Sequence, residues 1–143
     1  MSKSLFGDDK ENKLIIFTDG GSRGNPGPSA IGIVIGEKEY CEKIGKATNN
    51  VAEYQAVIFA LKKTRQILGG KKSAEAEIEI RMDSELVQRQ LSGKYRIKEE
   101  DLKILFVNVH NLLFDFKKVS FRHIPREENR HADFLVNKAL DKK

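Results

Sequence analysis

Hydrophobic positions along this chain switch between continuous, alternating and helical spacing. Residues 14–17 (LIIF) form an unbroken apolar run, as expected of a buried central strand. A loop with Gly20, Gly21, Gly24, Pro26, Gly27 and Pro28 follows, and residues 30–36 and 38–45 then read as two further strands. The loop lacks a closing Gly-Lys-Ser/Thr and leads into a strand rather than a helix. A hairpin therefore fits it better than a phosphate-binding loop.

Between residues 50 and 68, Val51, Tyr54, Ile58, Leu61 and Leu68 keep helical spacing, and Gly69 and Gly70 stop the helix. Ile78, Ile80 and Met82 alternate along one strand face. Residues 84–91 read as a short helix and 92–101 (SGKYRIKEED) as a linker. Leu102, Leu105, Phe106, Val109, Leu112, Leu113 and Phe116 form one broad stripe, which predicts a helix over 102–116. Val119, Phe121 and His123 share a face of a last strand. A final helix is predicted over about 127–140, with its acids in the first turn and lysines in the last, as the helix dipole favours. Helical crossovers imply parallel pairing around the first strand, and the hairpins imply an antiparallel edge. The expected fold class is α/β: a mixed five-stranded sheet with helices on both faces, in one domain over 13–143 behind a mobile tail of residues 1–12.

Composition narrows the class. At 143 residues, 39% hydrophobic and 33% charged, the chain has enough material for one real core under a highly charged surface. No apolar stretch is long enough to span a bilayer, and the polar start does not read as a signal peptide, so no membrane partner is expected. Cys41 is the single cysteine, which excludes an internal disulfide and fits a cytoplasmic setting. The net charge of +5 suits a polyanionic partner.

Four acids fall at strand ends or on predicted helices: Asp19, Glu53, Asp83 and Asp133. If the first and fourth strands are parallel neighbours, Asp19 and Asp83 lie at the same carboxyl edge. That edge is where open α/β sheets gather ligands. Oxygen ligands from distant parts of a chain suit hard divalent cations and phosphodiester chemistry. Taken singly, Asp19 equally suits a turn, Asp83 with Ser84 a helix cap, Glu53 a solvated helix position and Asp133 half of a surface pair.

The flanking residues decide between these readings. TDGGSRGNPGP, TNNVAEYQA, RMDSELV and HIPREENRHAD, in this order, resemble the four motifs of type 1 ribonuclease H over residues 14–140. The resemblance implies the ribonuclease H-like three-layer fold and endonucleolytic hydrolysis of the RNA strand of an RNA/DNA hybrid. The implied products carry 5′-phosphate and 3′-hydroxyl ends. It implies that Asp19, Glu53, Asp83 and Asp133 hold two Mg²⁺ ions, about 3.5–4 Å apart, with Mn²⁺ as a substitute. His123, ten residues before Asp133, matches the family's mobile-loop histidine, whose role is proton transfer or product departure; its other reading is a strand-end residue beside Phe121.

Substrate contacts implied by the same resemblance are Gly20, Asn25, Lys46, Thr48, Asn49, Asn50, Ser84 and Asn129. Amide side chains both donate and accept, as recognition of a 2′-hydroxyl requires. Helix capping is the other reading for Thr48, Asn49, Asn50 and Asn129. The chain resembles the compact branch of the family, since it has only SGKYRIKEED where other members carry a long basic protrusion. Lys94, Tyr95, Arg96 and Lys98 there are either a substitute grip on the DNA strand or an ordinary solvated linker. Two alternatives remain: the same chemistry on double-stranded RNA or RNA–DNA junctions, and a catalytically silent hybrid-binding module. A free-standing monomer is expected rather than a piece of a reverse transcriptase.

Overall fold

Alternation along β1 (Lys13–Ser22) sends Leu14, Ile16 and Thr18 to one face of the sheet, where all three are buried. The computed structural model describes residues 13–142, and the expected tail over 1–12 lies outside them. β2 (Gly27–Ile35) pairs antiparallel with β1, and β3 (Lys38–Ala47) antiparallel with β2. β4 (Glu77–Met82) runs parallel to β1, with Ile16 opposite Ile80, and β5 (Lys118–His123) runs parallel to β4. The spatial order is β3-β2-β1-β4-β5, the mixed five-stranded sheet that the pattern implies.

Helices cover both faces. α1 (Asn49–Leu68) lies on the side of Leu14, Ile16, Ile31, Ile33 and Ile35 and completes the main core with α4 (Glu100–Leu113). α5 (Arg130–Asp141) lies on the other side, where Val136 and Ala139 pack on Ala30. Gly32 allows this approach, because a Cβ there would sit 2.3 Å from the Ala132 carbonyl oxygen. α3 (Glu85–Leu91) follows β4 at once, with the Ser84 hydroxyl accepting the Val87 N–H as its cap.

Three local features depart from the pattern. Gly69, at φ 80°, ends α1 as expected, but Gly70 opens a further short helix, α2 (Gly70–Glu75). α4 stops at Leu113 rather than 116. Turns through Asp115 and Phe116 still bury Phe116 while they redirect the chain so that Lys117 N–H reaches the Ala76 carbonyl and β5 can start. The last helix is broken: a single 3₁₀ turn over Arg126–Glu128 precedes α5, with Asn129 between them. Asn129 does not cap α5 with its side chain. That side chain is committed elsewhere.

Candidate active site

The parallel pairing of β1 and β4 brings Asp19 and Asp83 to one edge of the sheet, as the order of elements implies. Glu53 reaches them from α1, where its Oε1 accepts the Gly20 N–H at 3.0 Å. Ligand oxygens of Asp19, Glu53 and Asp83 all lie within 4.8 Å of one another. Asp133, in the first turn of α5, closes the far wall of the same cleft of about 340 Å³. Gly20, Asn49, Asn50, Ser84, Arg23, Arg126 and Asn137 also line it.

The electrostatics of the cluster are costly without a counter-charge. Asp19 is 7% exposed and Glu53 6%. Burial pushes the Asp19 carboxyl up to about 7, its bond with Glu53 pulls the other way, and the charges of Asp83 and Asp133 push it further up. Burial, and then the Asp19 charge, holds Glu53 well above the usual carboxylate range. Glu53 Oε2 is buried with no hydrogen-bond partner. An all-oxygen set held together against its own repulsion is what a hard divalent cation neutralises, so these residues fit such an ion.

This sets the pH behaviour of the metal-free protein. Asp19 and Glu53 are raised on folding, so the folded chain binds more protons than the unfolded chain between the ordinary carboxylate range and about 7. Their contribution to stability is present at low pH and is lost as pH rises through that window. Glu79, lowered by Lys13 and Arg81 against the effect of burial, acts only at the acid end, where its contribution fades below the ordinary range. In chelator the melting temperature is therefore expected to fall from pH 5 to pH 8, and excess divalent cation at pH 8 should restore it. A melting temperature that is flat across this range, with or without cation, would rule out a strained acidic cluster.

The other expected site residues fall in different places. Asn50, Ser84 and Gly20 line the cleft. Asn25 and Asn49 tie the glycine loop to α1: Asn25 Oδ1 accepts the Asn49 N–H at 2.9 Å, and Asn49 Oδ1 accepts the Ser22 N–H at 2.9 Å. Thr48 caps α1 through the Val51 N–H, and with Lys46 it lines an adjoining groove next to Gln55 rather than the acidic cleft. His123 is exposed at the end of β5, opposite Met82, and is not among the residues that line the cleft. Arg126 lines it instead, and its only mark in the sequence is its place within HIPREENRHAD. Asn129 is 1% exposed and faces the sheet.

Residues 17–139 match the family model described as reverse transcriptase-like. A ribonuclease HI from Halobacterium salinarum is 40% identical over 139 residues, covering 93% of this chain and 67% of that one.

This chain belongs to the type 1 ribonuclease H family.

Solved ribonucleases H share its fold. LC11-RNase H1, from compost, was crystallised with an RNA/DNA hybrid; it is 46% identical, with a TM-score of 0.85 over 90% of this chain and 96% of that one. The N-terminal ribonuclease H domain of a Mycobacterium tuberculosis protein is 38% identical, with a TM-score of 0.81 over 90% and 99% of the two chains. The full mycobacterial relatives are longer, and the chain spans 36% of their length. The ribonuclease H family is divalent-metal dependent, in keeping with the carboxylate cluster. In this member only residues 92–99 separate α3 from α4, as in the compact branch.

Proposed function

We propose that the chain is an endoribonuclease that hydrolyses the RNA strand of RNA/DNA hybrids, leaving 5′-phosphate and 3′-hydroxyl ends. The observation that carries this reading is the cluster of three carboxylates with ligand oxygens within 4.8 Å of one another, with Asp133 across the same cleft. Asp19, Glu53, Asp83 and Asp133 would hold two Mg²⁺ ions, or Mn²⁺ in their place. Bound there, such ions lower the pKa of a coordinated water and offset charge on the phosphate.

The chain's own residues supply the rest. The Gly20 N–H and the desolvated cleft keep Glu53 oriented toward Asp19. Asn49 has its oxygen committed to Ser22, which leaves its NH₂ to donate, while Asn50 and Ser84 offer further polar groups at the rim. These suit the 2′-hydroxyls of an RNA strand. Arg126 places a positive charge beside the acids, where the scissile phosphate would bring negative charge. His123 is assigned to proton transfer or product departure, and its side chain is exposed at the end of β5. All four acids come from one chain, which suits a monomer. Among the described residues no helix is long and apolar enough to cross a membrane, and a lone cysteine fits the cytoplasm.

The test is cleavage of an end-labelled hybrid, beside matched double-stranded RNA and DNA, with Mg²⁺ or chelator. Cutting of the hybrid's RNA strand alone, only with metal, is expected. Binding without cutting in Mg²⁺ and Mn²⁺ would mean a silent hybrid-binding module, and comparable cutting of double-stranded RNA would widen the substrate class.

The grip on the DNA strand is assigned to Lys94, Arg96 and Lys98, all exposed between α3 and α4. Replacing the three with alanine should weaken hybrid binding and flatten the plot of log affinity against log salt by about 2–3 in slope. An unchanged slope would show that this segment touches no phosphate.

A further inference from the structure

Asn129 lies at the break between the 3₁₀ turn and α5, and its side-chain amide is one of the most buried polar groups among the described residues. Its Nδ2 donates to the Thr18 carbonyl at 2.9 Å and to Asp83 Oδ2 at 3.0 Å, which uses both amide hydrogens. Its Oδ1 is buried with no partner. Turning the amide over would place that oxygen against two acceptors, so the network fixes the orientation. An unsatisfied buried oxygen costs stability, and nothing about capping α5 requires it. The main chain of the same residue accepts the Asp133 N–H at 3.1 Å, the ordinary first bond of α5, so it is the side-chain tie to Thr18 that fixes where the helix carrying Asp133 starts against the sheet. Asn129 therefore contacts the residue before Asp19, the carboxylate of Asp83 and the backbone of Asp133. These three acids sit on three different elements.

We propose that Asn129 is a positioning residue: it fixes one oxygen of Asp83, so that the other is presented to a divalent cation, and it sets Asp133 against β1 and β4. It does not touch the hybrid. A bond that holds a metal-binding carboxylate in orientation typically contributes about 10–100-fold in metal affinity or activity. This inference rests on the nuclease reading only for its kinetic arm, because metal binding is measured without substrate.

The experiment is calorimetric titration of the full chain with Mn²⁺ alone, for the wild type and Asn129→Ala, alongside hybrid cleavage. Asn129→Ala should weaken Mn²⁺ binding at least tenfold and lower kcat by a similar factor, with KM for the hybrid within about twofold. A folded variant with unchanged Mn²⁺ affinity, or one in which KM alone rises, overturns the proposal. Lowered thermal stability at unchanged metal affinity would mean a purely structural tie and also overturns it. If the wild type binds Mn²⁺ but does not cut, the nuclease reading fails while the titration still decides this one; if the wild type binds no metal, this one fails. The wild-type chain gives a further test should the variant not fold. The side-chain amide protons of Asn129 should exchange slowly and shift on Mg²⁺ addition and in Asp83→Asn. Resonances that respond to neither overturn the assignment.

Discussion

Asp83→Asn should lower hybrid cleavage on the order of a thousandfold or more while leaving the chain folded. The carboxamide matches the carboxylate in size, and its oxygen can still accept from Asn129 Nδ2 in the place of Asp83 Oδ2. What disappears is the charge that completes the cluster with Asp19 and Glu53. Several kcal/mol of transition-state stabilisation depend on a cation held there, and each 1.4 kcal/mol is about tenfold in rate. The same charge raises Asp19 and Glu53, so its removal relieves repulsion in the metal-free state. The melting temperature in chelator should therefore be equal to or above that of the wild type. Turnover within tenfold of the wild type would remove Asp83 from the metal set, and loss of the folded state would contradict the electrostatic account.

Gly20→Ala should be far more damaging than the same change one residue on, at Gly21. A Cβ at Gly20 would lie 2.2 Å from the Ala52 carbonyl carbon, 2.3 Å from its oxygen and 2.5 Å from the Glu53 nitrogen. All three are main-chain atoms near the start of α1, so no side chain can turn aside. Either α1 lifts from β1 or the end of β1 bends. Overpacking of this kind costs typically about 1–3 kcal/mol, and a clash with helical backbone belongs at or beyond the upper end. The displaced helix carries Glu53, so activity should fall by about a hundredfold even where the variant remains folded. Gly21→Ala is the control: its Cβ would meet only Val136 Cγ1, at 3.3 Å, which can give. Denaturant midpoints and initial cleavage rates for the two variants check this. Equal effects would show that close packing of α1 is not what glycine provides at position 20.

The sheet was legible because it rests on local spacing, and the four acids because the motifs around them resemble those of a known family. The run at 14–17, the alternation of Ile78, Ile80 and Met82 and the stripe on α1 report burial directly. The acids stand inside motifs that name their company. The functions of Gly20 and Asn129 were not legible in this way. The resemblance implies a substrate contact at Gly20, which does line the cleft, but nothing in the sequence shows that the space at its missing Cβ is filled by α1. The sequence suggested a substrate contact or a cap for Asn129, whereas its side chain bonds across 111 positions to Thr18 and across 46 to Asp83. Such contacts leave no periodic trace. α2 escaped because six residues after a glycine carry too little pattern to distinguish a turn from a helix. Arg126 escaped because it lies in a single 3₁₀ turn, too short to leave a periodic signal, and it reaches the cleft only in the folded chain.

The acids of the cleft are drawn from β1, α1, the end of β4 and α5, in that order along the chain. Nothing in the first three elements completes the far wall, and Asp133 arrives only when α5 docks on β1, β2 and β3. The docking of one helix on the sheet is thus also the closing of the cleft: a variant that loosens α5 from β2, without touching any acid, takes the fourth carboxylate away from the other three.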